Sequence, residues 1–422
     1  MVEAGIEAMN VYAGTACLDV RKLAEHRGLD MRRFDNLLMK RKSVPLPYED
    51  PITFAVNAAK PLIDALSPQE KQRIEMVVTC TESAFDFGKS MSTYCHDLLG
   101  LNRNCRLFEV KNACFSGVAG FQNAVNFILA QVSPGAKVLV IATDLCRFMV
   151  EKGGNALTME GAFAEPSSGA GAVAMLVSET PYVFRVDPGA CGSYGYEVMD
   201  TCRPSVDAEA GDSDLSLRSF LDCSDNAFLE YQKRVQGADY AKTFGFLAYH
   251  TPFGGMVKGA HRNLMRKHVR GITPAEIDAD FLRRMGPGLA HCQHVGNIMG
   301  ATAMLSLAST IDNGEFEKPQ RIGVFTYGSG CCSEFFSGVA TQEGQRRIRA
   351  LKIRDQLDRR YELTMAEYDN LLMDTNAHLR FGTRNRLLDR DILPQARRVH
   401  GRPTLFLKEI NEYHRLYEWV SR

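Results

Sequence analysis

Cys105-Arg106-Leu107-Phe108-Glu109-Val110 leads through Lys111-Asn112-Ala113 to Cys114, and Phe115-Ser116-Gly117-Val118 follows. The first six residues alternate as a half-buried strand does. Downstream, Val118, Phe121, Val125, Ile128 and Leu129 recur at helical spacing, which predicts a strand-to-helix turn at Cys114. A thiol at that position faces unpaired helix N–H groups and the positive end of the helix dipole. Both favour the thiolate, the reactive form. A cysteine among small and apolar residues is more often an inert part of the core, so its surroundings decide.

Working outward, the chain repeats one rhythm. Ile74–Cys80 reads as a buried strand, and Thr81-Glu82-Ser83 follows its end. Ala136–Ala142 and Ala170–Val177 read as two more nearly continuous apolar strands, with residues 5–13 as another. Asp50–Leu66 reads as an amphipathic helix, and residues 17–41 as a polar, helix-rich stretch. In the second half, Phe244–His250 is a strand ending in histidine, Ala301–Ile311 an apolar helix, and Arg321–Tyr327 a strand entering Gly328-Ser329-Gly330. Strands alternating with helices imply a covered α/β sheet. In such sheets chemistry collects outside the strand ends, where Glu82, His250 and Ser329 can converge with Cys114. Pro204–Asp214 is acidic and turn-rich and is expected as a surface excursion.

With 422 residues, two domains or one duplicated α/β domain are expected. Fifty Lys and Arg balance fifty Asp and Glu. That balance gives no global field for nucleic acid or an anionic membrane. Twelve cysteines without a CxxC pair, and no signal peptide or long apolar span, point to free thiols in the cytoplasm. His291-Cys292-Gln293-His294 lacks a second ligand pair, so packing is expected there and not a metal. No glycine-rich stretch matches a phosphate or dinucleotide fingerprint.

Cys114, Glu82 and His250 supply a nucleophile, a carboxyl and an imidazole, a set suited to acyl transfer through a thioester with proton transfer at carbon. Residue types alone leave this open in a chain of this size. The segments Thr81-Glu82-Ser83, Asn112–Gly117, Phe121–Asn126, Ser167–Ala174, Phe244-Gly245-Phe246, Tyr249–Phe253, Val295-Gly296-Asn297 and Tyr327–Gly330 are more specific. In their order and spacing the chain resembles the hydroxymethylglutaryl-CoA synthases of the thiolase superfamily. The resemblance implies a five-layer αβαβα thiolase fold of two similar halves, working as a homodimer. It implies that Cys114 takes an acetyl group, that Glu82 removes a proton from the acetyl methyl, and that His250 binds and polarises a β-ketoacyl thioester. Asn297 and Ser168 would contact substrate, and backbone N–H groups near Cys114 and Ser329 would line an oxyanion hole. The expected division is residues 1–180 and 181–345 for the halves, with a packed extension at 346–422.

The chain departs from the coenzyme A-using members at Gly255 and Gly259, which stand where phosphate-pairing lysines are expected, and Arg33 replaces a lysine ahead of Phe34. One phosphate is served and the nucleotide is not. The resemblance therefore narrows to the β-branching hydroxymethylglutaryl synthases of polyketide assembly. No cofactor is expected to bind tightly; the substrates are phosphopantetheine thioesters on donor and acceptor acyl carrier proteins. Two basic clusters, Arg21 to Lys42 and Arg262 to Arg270, are expected to steer those acidic partners. The alternatives are a coenzyme A-using synthase of isoprenoid metabolism and a non-catalytic carrier scaffold, the latter disfavoured by the intact trio.

Overall fold

The computed structural model describes residues 2–145, 164–205, 208–374, 382–389 and 391–421. The alternating strands assemble as β1 (Gly5–Tyr12), β4 (Ile74–Cys80), β5 (Arg106–Val110), β6 (Lys137–Leu145) and β7 (Ala170–Ser178) in the first half. The second half supplies β8 (Phe184–Gly195), β11 (Phe246–Tyr249), β12 (Gln320–Gly328) and β13 (Cys332–Ala340). They form one sheet ordered β11-β12-β13-β8-β1-β7-β6-β4-β5. In one half β4 and β6 are parallel and β7 and β1 antiparallel neighbours follow; in the other β11 and β12 are parallel, and β13 and β8 antiparallel neighbours follow. The two halves therefore share a pattern. They meet at β1 and β8 through only Gly5↔Arg185 and Ile6↔Phe184. A Cβ at Gly5 would stand 2.1 Å from the Phe184 carbonyl oxygen, which requires glycine at this junction.

Three apolar cores separate five layers. Helix Pro51–Asp64 covers β7, β6 and β1 outside the first half. Helices Ser116–Leu129 and Thr302–Asn313 lie between the halves, where Phe121, Val125, Met304 and Leu305 join side chains from both. Helices Ser213–Arg234 and Gly254–His268 form the opposite outer layer over Phe325 and Phe335. Truncating a fully buried aromatic such as Phe121 to alanine costs about 3–5 kcal/mol in cores of this kind. The central layer is close-packed: a Cβ at Gly120 would lie 2.3 Å from Cys80 Sγ, and one at Gly117 2.1 Å from the Gly300 carbonyl oxygen.

Two local expectations change. The stretch 17–41 contains the strand β2 (Ala16–Asp19) and two short helices, Val20–His26 and Met31–Asp35, before β3 (Arg41–Val44) pairs back on β2. Helix Pro51–Asp64, started by a reciprocal Asp50–Thr53 cap, is buried almost all round and not on one face only. Its outer side is covered by the C-terminal hairpin β16 (Thr404–Asn411) and β17 (His414–Val420), beside the short β15 (Arg386–Leu387). Asn57 exchanges two hydrogen bonds with the Leu405 backbone at 3.0 and 2.9 Å, and Asp50 accepts from Arg415 Nη1 at 3.0 Å and Tyr417 Oη at 2.8 Å. The tail also adds β14 (Tyr361–Glu362) to β2. Its Arg360 donates to Ser43 Oγ at 2.6 Å and to the His294 carbonyl at 2.7 Å.

Candidate active site

A cavity of about 510 Å³ opens at the strand ends between the halves, and Cys114, Glu82, His250, Asn297, Ser329, Ser168 and Arg33 all line it. Each arrives there by a definite piece of backbone.

Cys114 stands between the end of β5 and the helix Ser116–Leu129. The turn is tight: Phe115 N–H donates to the Asn112 carbonyl at 3.0 Å and Ser116 N–H to that of Ala113 at 3.2 Å, with Ala113 at φ 42. A non-glycine residue in that left-handed region is strained, and such strain is held only where the surroundings fix it. Here Gly328, entering from β12, permits the close approach; a Cβ on it would lie 2.8 Å from Phe115 N. The Cys114 Sγ donates to Met299 Sδ at 3.6 Å.

Glu82 follows β4 on a loop organised by Asp144 at the end of β6. Asp144 Oδ1 accepts from Thr81 Oγ1 (2.9 Å), Glu82 N (2.9 Å), Ser83 N (3.1 Å) and Ser83 Oγ (2.9 Å), and its Oδ2 accepts from Gly300 N at 3.1 Å. One buried carboxyl thus ties the Glu82 loop to the Met299-Gly300 turn beside Cys114. Burial pushes the Glu82 carboxyl up, while the Arg203 guanidinium opposes that by favouring its anion. Burial and then the neighbouring Glu82 push Asp144 up to about 7, against the hydrogen bonds it accepts.

His250 follows β11, its N–H donating to the Phe325 carbonyl at 2.8 Å. Burial alone pushes its imidazole down to about 3, so the ring is neutral at pH 7. Its Nδ1 finds no hydrogen-bond partner among the described residues. Asn297 Oδ1 accepts from Met299 N at 3.0 Å and Thr302 Oγ1 at 2.9 Å, which turns the amide nitrogen toward Met299 Sδ at 3.5 Å. Asn297 also exchanges backbone hydrogen bonds with Gly169 and Ser167, at 2.8 and 2.7 Å, and Ser168 Oγ donates to the Ala164 carbonyl at 2.7 Å. Ser329 lies on the turn between β12 and β13, held by Asp200, which accepts from Tyr327 Oη at 2.5 Å and Gly330 N at 2.8 Å. Arg33 is exposed, on the short helix Met31–Asp35 capped by Asp30.

The expectation for Pro204–Asp214 holds where its burial is described, residues 210–214 being exposed; the antiparallel pair β9 (Thr201–Ser205) and β10 (Ala208–Gly211) also brings Thr201, Cys202 and Arg203, just before that stretch, to the cavity wall with Ser213 and Asp214. The basic clusters are partly neutralised, because Arg21 pairs with Asp35, Lys22 with Glu362, Arg27 with Glu165 and Asp369, Arg41 with Asp358 and Glu362, and Arg262 with Asp278; Lys267 pairs with Asp225. Lys42 is buried; Arg32, Arg33, Lys40, Arg266 and Arg270 stay exposed. Asp144, Asp200, Arg203 and Met299 also belong to the site, and the sequence reading does not single them out. Asp144 was within reach of the strand-end argument that found Glu82; the other three carry no comparable local signal. In the His291–His294 stretch, His291 Nε2 bonds Asp312 Oδ2 at 2.7 Å and Cys292 is buried.

Residues 2–181 match the family model described as "Hydroxymethylglutaryl-coenzyme A synthase N terminal", and residues 266–419 match its C-terminal counterpart. The chain belongs to the hydroxymethylglutaryl-CoA synthase family. It is 64% identical over 422 residues, all of both chains, to the polyketide biosynthesis 3-hydroxy-3-methylglutaryl-ACP synthase PksG of Bacillus subtilis (strain 168). It is 31% identical to the hydroxymethylglutaryl-CoA synthase of Enterococcus faecalis, over 88% of this chain and 92% of that one. The solved curacin biosynthetic pathway HMG synthase superposes with a TM-score of 0.94 at 60% identity, covering 99% of this chain and 100% of that one. That synthase has also been solved with apo, holo and acetyl donor-ACP. The fold is that of these thiolase-type synthases, and the chain is an acyl-transferring condensing enzyme. Among the described residues no helix is long and apolar enough to cross a membrane.

Proposed function

We propose that this enzyme condenses an acetyl group, received from an acetyl-acyl carrier protein, with the β-ketone of a β-ketoacyl-acyl carrier protein, and so installs a β-branch during polyketide assembly. The observation that carries the reading is the single cavity shared by Cys114, Glu82 and His250, in a chain 64% identical to a polyketide HMG-ACP synthase.

In this reading the Cys114 thiolate attacks the acetyl thioester carbonyl and expels the phosphopantetheine thiol, leaving acetyl on sulfur. Glu82 then takes a proton from the methyl carbon. The enolate carbon attacks the acceptor ketone, whose oxygen takes up a proton and becomes a tertiary hydroxyl. Water finally cleaves the Cys114 thioester, releasing a 3-hydroxy-3-methylglutaryl-type product as a free carboxylate on the acceptor thioester. His250, neutral at pH 7, hydrogen-bonds the acceptor ketone; Asn297 and Ser168 hold the acceptor. Backbone N–H groups near Cys114 and Ser329 receive the developing oxyanion, each such donor contributing about 3 kcal/mol. Arg33, exposed at the rim, meets the phosphopantetheine phosphate.

No cofactor is bound tightly, and the enzyme works in the cytoplasm. Its halves divide at 180/181 and the extension begins at 346. A homodimer is supported by β5, which ends the sheet with every residue at least partly exposed, Leu107, Phe108 and Val110 included. An apolar edge of this kind invites a second copy.

Incubation with acetyl-carrier and acetoacetyl-carrier tests the reaction. The acceptor carrier should gain the mass of one acetic acid, the sum of an acetyl and a hydroxyl group. An acceptor of unchanged mass beside consumed donor would overturn the reading.

A further inference from the structure

Arg203 lies on β9, in the segment that follows β8 and belongs to the second half, yet it meets Glu82 of the first half twice. Its Nη1 donates to the Glu82 backbone carbonyl at 2.9 Å and its Nη2 approaches Glu82 Oε1 at 3.4 Å. Each side chain exposes 20% of its surface, so the pair is held largely away from water. The segment is itself anchored. Asp200, three residues earlier, is fixed to Tyr327 and Gly330 on the turn that carries Ser329. From the other side Asp144 accepts from the Glu82 and Ser83 backbone N–H groups, and so holds the backbone of the loop. The grip on the carboxyl itself comes from Arg203.

We propose that Arg203 is the positioning residue that holds the Glu82 loop and carboxylate in the orientation that removes a proton from the acetyl methyl on Cys114; this rests on the reading of Glu82 as the acid/base. In that step the methyl C–H bond breaks, its electron pair becomes the enolate, and the proton moves to a Glu82 oxygen. Arg203 neither gains nor loses a proton. Its bond to the backbone carbonyl persists through the step, which makes orientation its main contribution. Its charge has a second consequence, because a cation beside a carboxylate favours the ionised form. Among the described residues, the charged or titratable groups around Glu82 are Arg203 from β9, Asp144 from β6 and Asp86 on its own loop, with Cys114, Cys202, His250, Asp214, Tyr327 and Arg33 sharing the cavity. Acetylation of Cys114 needs no base at carbon, so it stays outside the influence of Arg203.

Arg203→Met and Arg203→Lys in the full chain, assayed with acetyl-carrier and acetoacetyl-carrier, separate these contributions. In Arg203→Met, acetylation of Cys114 should proceed at the parent rate. Its condensation kcat should fall by about ten- to a hundredfold, the worth of a hydrogen bond to a charged group. The acidic limb of its condensation profile should move to higher pH. Arg203→Lys should return the limb to its original place while recovering the rate only in part, because an ammonium lacks the planar fork that reaches two oxygens. Should the Met variant not fold, the Lys variant carries the test through a reduced condensation rate with an unmoved limb. Acetylation and condensation falling together, or neither changing, overturns the proposal. A Glu82→Gln control keeps the two readings apart: normal condensation there defeats the acid/base role of Glu82, whereas lost condensation there with an indifferent Arg203 defeats this proposal alone.

Discussion

Glu82 and His250 occupy matching places in the two halves, just beyond β4 and β11, and their surroundings are opposite. Glu82 sits among polar neighbours: Arg203 on one side, and Asp144 with its five accepted hydrogen bonds on the other. His250 sits among aromatic residues, with Phe220 at 6.5 Å between ring centroids, and its Nδ1 has no partner among the described residues. A repeated backbone therefore presents two different electrostatic environments to one cavity. On the Glu82 side burial raises a carboxyl whose anion an arginine favours; on the other an imidazole is kept uncharged at pH 7. Duplication supplies the positions, and the neighbours supplied by distant segments set the electrostatics.

The sharpest way to break this contrast is at Glu82. Glu82→Gln keeps shape and removes the base, so the variant should still accept acetyl on Cys114 while condensation falls about 10²–10⁴-fold, the usual worth of a positioned base. Rapid-quench kinetics of both steps check this; loss of acetylation as well would place Glu82 in thiol activation instead. His250→Ala should also leave acetylation intact. It should weaken capture of the β-ketoacyl acceptor, seen as roughly a tenfold loss in condensation kcat/KM, the cost of one hydrogen bond in a dry site. An unchanged acceptor KM would remove His250 from acceptor binding.

A smaller effect follows from the neutral imidazole. The unfolded histidine titrates near its ordinary value of about 6.5, and burial pushes the folded one to about 3. Below about pH 6.5 the unfolded chain binds this proton first, so stability is lost as the pH falls toward 3. Asp144 works in the opposite sense, because a raised carboxyl favours the folded state at low pH and loses that contribution as pH rises toward 7. Denaturant titrations at pH 7.5 and 5.5 should show that His250→Gln loses roughly 1 kcal/mol less than the parent over that interval. An identical pH dependence would mean that His250 is not desolvated. The smallest effect belongs to the rim. Arg33→Ala should slow acetylation from the carrier by a few-fold, with the difference shrinking in salt, because exposed charges are screened over about 10 Å at 0.1 M.

Legibility in the sequence followed the range of the interactions. β4, β6 and β7 were readable because all of their residues but Glu75 are buried, and Cys114 was readable because strand and helix periodicities change beside it. The features that escaped depend on partners far along the chain. Arg203 meets Glu82 across 121 positions, the C-terminal hairpin reaches helix Pro51–Asp64 across 348, and Lys22 is neutralised by Glu362 across 340. No local periodicity encodes such pairs. Composition located the exposed residues of the acidic, turn-rich stretch and said nothing of Arg203 just before it, whose partner is a distant carboxyl.

The central claim is that Cys114 receives acetyl from a carrier-borne donor. Peptide mapping by mass spectrometry after equal exposures to acetyl-carrier and to acetyl-CoA tests it most directly. One acetyl group is expected on the Cys114 peptide, formed far faster from the carrier because surface contacts add binding energy that the small thioester lacks, and absent in Cys114→Ser. Acetyl on another peptide, or equal rates from the two donors, would contradict it.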